Sequence, residues 1–139
     1  MNNTRFATAL HILSLLEYSK PERLSSEWIA GSINLNPALV RKEISHLKKL
    51  GFISSKEGNG GGYTLGRPAG TIQLAEIFQA VRPAAVLGRS NTPNPACPVG
   101  RQINQHLETL YTNAEQAMLA MLQQQSLAEF AGKFAAETT

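Results

Sequence analysis

Five residues, Gly58-Asn59-Gly60-Gly61-Gly62, limit what the middle of this chain can become. Four glycines in so short a run do not sit inside a helix, since each costs about 1 kcal/mol of propensity relative to alanine. They do suit a tight turn, because glycine enters positive φ at no steric cost. Phe52-Ile53-Ser54-Ser55-Lys56 on one side and Tyr63-Thr64-Leu65 on the other have strand character. Two such runs around a glycine-dense turn read as a β-hairpin. A nucleotide-binding glycine loop fails on context, because no strand–loop–helix unit surrounds the run and no Lys-Ser/Thr follows it.

Immediately before the hairpin, the spacing predicts a helix over about 37–50. Asn36 caps it, Pro37 suits its first position and Gly51 ends it. Val40, Ile44 and Leu47 form an inward row, while Ala38, Arg41, Lys42, Ser45 and Lys49 lie around the other side. Ala38 lets a partner's backbone approach closely, and Arg41 and Lys42 reach for base edges or phosphates. By itself such a face is equally the solvated side of a surface helix. Followed by a glycine-tipped hairpin, it reads as a recognition helix and a wing. The tip can enter a minor groove or lie along phosphates with backbone N–H groups exposed.

Charge agrees with this placement. Residues 36–56 hold five basic side chains against one acidic, residues 1–35 balance three against three, and residues 57–139 hold five against six. The formal excess of +3 therefore comes from the helix and hairpin, and a polyanion is their natural partner.

Around this unit the chain is mostly helical. Residues 4–18 carry a broad apolar stripe (Phe6, Ala9, Leu10, Leu13, Leu16, with Ile12 and Leu15), which implies burial on more than one side, a dimer contact included. Thr4 is the expected cap, with Arg5 on the exposed side and His11 packed. After Lys20-Pro21, a short helix starts near Ser25 and Ser26, with Trp28, Ile29 and Ile33 as its apolar side. Gly31 within it implies close packing. Thr71 is expected to cap a fourth helix bearing Leu74, Ile77, Phe78 and Val81. Residues 83–100, with four prolines and two glycines, form an irregular segment containing Cys97. A long helix over about 101–124 has a heptad seam of Ile103, Leu107, Leu110, Ala114, Ala117 and Met121, which calls for another helix, in a second copy of the chain or, as a 3.6-period stripe, in the chain's own core. Leu127, Phe130 and Phe134 mark an amphipathic tail, after which the chain frays.

The fold expected is mainly α with a small β-hairpin wing: a winged helix-turn-helix DNA-binding domain over 1–82, a proline-rich sensor loop over 83–100, and a dimerisation helix with tail over 101–139. A length of 139 residues and 42% hydrophobic content suit one globular unit. No apolar run approaches the roughly 18 residues of a membrane span, and no signal-peptide pattern opens the chain, so a cytoplasmic location is expected. One cysteine rules out an intrachain disulfide.

These residues resemble the Rrf2 family of bacterial transcription regulators. The resemblance rests on Arg5-Phe6, on Leu50-Gly51-Phe52-Ile53-Ser54-Ser55, on Gly60-Gly61-Gly62-Tyr63-Thr64-Leu65, and on a long helix after a proline-rich loop with Cys97. It spans about residues 3–135. It implies a homodimeric repressor on a double-stranded DNA operator with dyad symmetry. The candidate DNA-contacting residues are then Thr4, Arg5, Ser25, Ser26, Asn36, Ala38, Arg41, Lys42, Ser45, Lys49, Gly60, Gly61 and Tyr63, with Cys97 as candidate sensor. In cluster-bearing members three loop cysteines and a fourth ligand hold an iron–sulfur cluster. A thiolate cluster needs about four ligands, so no cofactor is expected here. The chain resembles the cluster-free branch, whose members sense through thiols or have no known effector. Glu57-Gly58 stands where cluster-bearing relatives often have Arg-Gly, and an acidic side chain there repels phosphate unless it turns away. Three other readings carry less: a small-molecule or metal effector site (Cys97 with His106 offers only two ligands per chain), a protein-interaction module, and an enzyme, for which no nucleophile has an orienting partner.

Overall fold

The computed structural model describes residues 4–134. Its elements run α1 (Arg5–Ser19), α2 (Ser26–Ile33), α3 (Pro37–Lys49), β1 (Ile53–Lys56), β2 (Gly62–Leu65), α4 (Leu74–Val81), α5 (Pro98–Leu122) and α6 (Leu127–Ala131). The fraying expected after the tail lies outside the described residues.

One core organises the first four helices. Ile12, Leu13 and Leu16 of α1 pack with Ile29 of α2, Val40, Ile44 and Leu47 of α3, and Ile77 and Val81 of α4, all at most 2% exposed. Thr4 occupies the cap position of α1, yet its side chain makes no capping bond; the expected cap is not formed. Ser25 does cap α2, its Oγ accepting the Trp28 N–H at 3.1 Å. Within α2 only Ser26, Ile29 and Ala30 are buried. Two helical turns supply one narrow inward stripe, and Trp28, 53% exposed, lies outside it. Gly31 also departs from expectation, since among the described residues no heavy atom lies within 4 Å of where its Cβ would stand.

α3 starts and stops as its sequence dictates. Asn36 Oδ1 accepts the Ala38 N–H at 2.8 Å, and Pro37 takes the first helical position. At the other end the Phe52 N–H donates to the Leu47 carbonyl and the Gly51 N–H to the Lys48 carbonyl, each at 3.0 Å. This two-bond Schellman arrangement needs the left-handed φ of 87° that Gly51 adopts. It turns the chain from α3 into the hairpin.

β1 and β2 pair antiparallel with Ile53 opposite Leu65 and Lys56 opposite Gly62. Leu24, just before α2, adds a one-residue bridge to Tyr63, with N–H···O distances of 3.1 and 2.8 Å. The hairpin is thereby sewn to the helix-turn-helix.

Beyond the wing, Thr71 belongs to a short 3₁₀ turn and does not cap α4. The cap position is Gln73, whose N–H is accepted by Glu76 Oε2 at 2.9 Å. The same carboxylate receives the Arg67 guanidinium at 2.7 and 2.8 Å. Arg67 lies 5.6 Å from the Phe52 ring centre, joining the wing's base to α4, and its hydrogen bond holds Glu76 below the usual carboxylate pKa.

α5 starts at Pro98, three residues before the position its periodicity indicates, with Cys97 as its cap. Proline here is a helix starter rather than a loop residue. None of the 25 residues of α5 is buried. The chain then returns: the Leu127 N–H bonds to the Ile72 carbonyl at 2.7 Å, the Leu74 N–H to the Gln125 carbonyl at 2.9 Å, and Leu127 is fully buried. α6 thus closes the core against α1.

Gly31→Ala is expected to stabilise the fold by about 0.5–1 kcal/mol, because it removes helix-interior glycine at a site with room for a methyl. Urea denaturation measures this; a loss of stability would contradict the open geometry. Gly61→Ala should destabilise instead, since its Cβ would clash with the Lys56 carbonyl oxygen.

Candidate nucleic-acid interface

α3 is held from one side. Val40, Ile44 and Leu47 anchor it in the core, and Ala38, Arg41, Lys42, Ser45 and Lys49 are all exposed on the other face. Two side-chain ties set its flank. His46 Nε2 lies 2.8 Å from the Ala80 carbonyl of α4. Glu43 receives the Arg5 guanidinium at 3.0 and 3.3 Å. Arg5, a candidate DNA contact, therefore brings the start of α1, with exposed Thr4, beside α3 while its guanidinium is engaged by Glu43.

Arg41 sits 3.8 Å from Glu27 of α2, with both side chains more than half exposed. Exposed pairs contribute about 0–1 kcal/mol, so a phosphate can compete for this guanidinium. Ser25 and Asn36 are exposed caps whose side-chain oxygens each accept a backbone N–H, at 3.1 and 2.8 Å. Ser26 is 7% exposed and its hydroxyl donates to Glu27 at 3.3 Å, so it presents nothing to a ligand.

In the wing, Gly58 and Gly60 take φ of 84° and 73°, and Gly60 is exposed. The Gly61 N–H donates to the Gly58 carbonyl at 3.0 Å, which uses the group expected to face phosphate. Tyr63 has both backbone groups bonded to Leu24 and its side chain packed against the core. Gly61 and Tyr63 shape the wing; exposed Lys56, Glu57 and Gly60 meet what lies outside it. Sequence reading missed the Arg5–Glu43 and Arg41–Glu27 pairs and the exposure of Leu39 at 56%. Only the burial of Val40 next to it hints at the last.

The candidate sensor lies at the start of α5. The segment leading to it is pinned to that helix: Asn104 Nδ2 donates to the Asn91 carbonyl at 3.0 Å, and Gly100 sits so close to the Asn94 carbonyl that a Cβ would stand 2.7 Å away. Cys97 is exposed, and its Sγ accepts the Gly100 N–H at 3.5 Å. This bond, with a second from the Val99 amide, holds the thiol below its usual pKa. His106 stands nine residues further along the helix, roughly 13 Å by helical rise, so the two do not converge. Among the described residues no group of three or more His, Cys, Asp or Glu is arranged to hold a metal. Glu115 pairs with Arg82 and ties α5 to the end of α4.

The sequence profile of the Rrf2 family, described as an iron-dependent transcriptional regulator, matches residues 2–133. YwnA of Bacillus subtilis, named as an HTH-type transcriptional regulator, is 41% identical over 128 residues, covering 91% of this chain and 94% of its own. In shape the chain is similar to CymR (YrzC), the global cysteine regulator of B. subtilis, with a TM-score of 0.72 at 21% identity, over 97% of this chain and 98% of the other. It is likewise similar to T. potens IscR, with a TM-score of 0.72 at 17% identity, over 99% and 93%. At these identities the likeness is one of fold. The sequence has one cysteine, and thiolate-held iron–sulfur clusters take about four ligands.

The lowered thiol pKa has a direct consequence. Amide N–H bonds stabilise the thiolate, so Cys97 should become reactive at lower pH than an ordinary cysteine. The pH profile of iodoacetamide alkylation is expected to have its midpoint below that of the same protein unfolded in urea. Coincident midpoints would remove the helix-start effect.

Proposed function

The chain belongs to the Rrf2 family of transcriptional regulators, and from that footing we propose that it is a homodimeric, cytoplasmic repressor reading a dyad-symmetric operator with α3. The observation that carries the reading is the division of α3 into a buried row and a fully exposed face bearing Arg41, Lys42, Ser45 and Lys49. A helix held by its back alone is free to enter a major groove. Lys56 and the tip around Gly60 then lie along the flanking phosphates, while Glu57 turns outward. The guanidinium of Arg41 exchanges Glu27 for phosphate or a base edge.

Two apolar surfaces left uncovered among the described residues support the dimer. Ile103, Leu110 and Met121 of α5 are 39%, 59% and 59% exposed. A groove of about 500 Å³ between α1 and α6 is lined by Leu10, Leu15, Phe130 and Phe134 among others. A second copy related by a two-fold axis covers such surfaces reciprocally, and it presents two α3 helices to the two half-sites. Among the described residues no helix is long and apolar enough to cross a membrane. We take the protein to work without an iron–sulfur cluster; a featureless visible spectrum of anaerobically purified protein, with no stoichiometric iron, is the expected result.

A second reading adds the signal. Cys97 is exposed at a helix start with its thiolate favoured, which suits regulation by thiol oxidation, singly or as an intersubunit disulfide. Mild peroxide or diamide should then change operator binding by wild type and leave Cys97→Ser unaffected. Equal, undiminished binding by both would overturn the thiol reading.

The DNA reading is tested by gel shift on duplexes enriched from a random library. Arg41→Ala and Lys42→Ala should each weaken binding, and loss of a phosphate contact should reduce the slope of log K against log salt by about 1. Leu110→Glu should yield a monomer by light scattering. Intact binding by both basic-residue variants would move the interface off α3.

A further inference from the structure

The first turn of α3 carries no polar side chain free to read a base. Pro37, Ala38 and Leu39 are all exposed, Leu39 by 56%, and Val40 behind them is fully buried. Asn36, the cap one residue before the turn, has its side-chain oxygen engaged by the Ala38 N–H at 2.8 Å and keeps only its amide N–H donors outward. Basic side chains begin one step later, at Arg41 and Lys42, and continue at Lys48 and Lys49. α3 therefore has an apolar tip and a basic shaft.

That division matters because the N-terminal residues of a recognition helix meet base edges. In the major groove one base alone offers an apolar feature, the C5-methyl of thymine. We propose that Leu39, flanked by the Ala38 methyl, reads thymine methyl groups in each operator half-site and is a specificity-determining residue. This rests on α3 being the recognition helix. Leu39 lies three residues before Lys42 on the same helical ridge, so a Lys42–phosphate contact lays the leucine along the groove wall. On its other side Glu43 is held by Arg5 of α1, which keeps the carboxylate from swinging toward the duplex.

The exposure of Leu39 is not shared with the surfaces a second copy covers. Ile103, Leu110 and Met121 lie on α5, and Phe134 borders the α1–α6 groove. Leu39 is on neither surface. It is on the basic helix, at the end that leads.

The experiment uses the full-length protein and the duplexes it enriches from a random library. Each thymine of the enriched site is replaced in turn by deoxyuridine, which removes the 5-methyl group and nothing else. At least one thymine per half-site should show binding weakened about four-fold, the worth of one buried methyl group. In Leu39→Ala that penalty should vanish, and in Leu39→Ile it should persist. Leu39 is exposed, so the variants retain the core, and their thermal unfolding should match wild type. The proposal is overturned if every deoxyuridine duplex binds wild type as tightly as its parent, or if the penalty is the same in Leu39→Ala. If no site is enriched at all, the assignment of DNA reading to this chain fails, and the inference falls with it.

Discussion

The molecule depends on the burial of three side chains, Val40, Ile44 and Leu47, along one edge of α3. These residues fix the helix's rotation about its own axis, and rotation decides which side chains face outward. A turn of 100° would send Arg41 toward the core and lift Val40 into water, which costs on the order of 2 kcal/mol for the valine alone and far more for an unpaired buried guanidinium. The Schellman turn at Gly51 then sets the direction in which the chain leaves. Helix and wing are thus fixed relative to each other by a cap and a core, with no need for a ligand.

Around that rigid centre the polar ties are peripheral and largely exposed. Arg41–Glu27 orients its side chains more than it stabilises the fold, since both are more than half exposed and solvent screens the pair, whereas Arg5–Glu43 and His46–Ala80 each have a partly buried member. Arg67 differs because it serves several partners at once: Glu76, the Thr71 carbonyl and the Phe52 ring. It joins the base of the wing to α4. From α4 a further ion pair, Arg82–Glu115, reaches α5. A continuous set of packed elements therefore runs from the wing to the helix whose first residue follows Cys97.

Much of this was legible in the chain. The inward row of α3, its Asn36-Pro37 start and Gly51 stop, the hairpin around the glycines and the long helix α5 all depend on residues within one or two turns of each other. Features that failed were of another kind. Thr71 has a good capping side chain, yet Glu76 satisfies the backbone from three residues inside α4. Trp28 is apolar, but an eight-residue helix has room for one buried stripe, and Ile29 and Ala30 fill it. Pro98 was read as a loop residue because prolines surround it, whereas its lack of an N–H costs nothing at a helix start. Gly31 has no close neighbour among the described residues, so its place inside α2 answers no packing demand.

The sequence by itself determined the elements, their order and the concentration of positive charge on one helix and hairpin. Periodicity, caps and glycine conformation are local, and local interactions are written in neighbouring residues. Tertiary structure alone decided which exposed groups are free to act. It engaged Arg5 with a residue 38 positions away, used the Gly61 N–H inside the wing, buried Ser26, and left Leu39 in the open. Those outcomes turn on distances between segments that fold together, and spacing along a chain does not contain them.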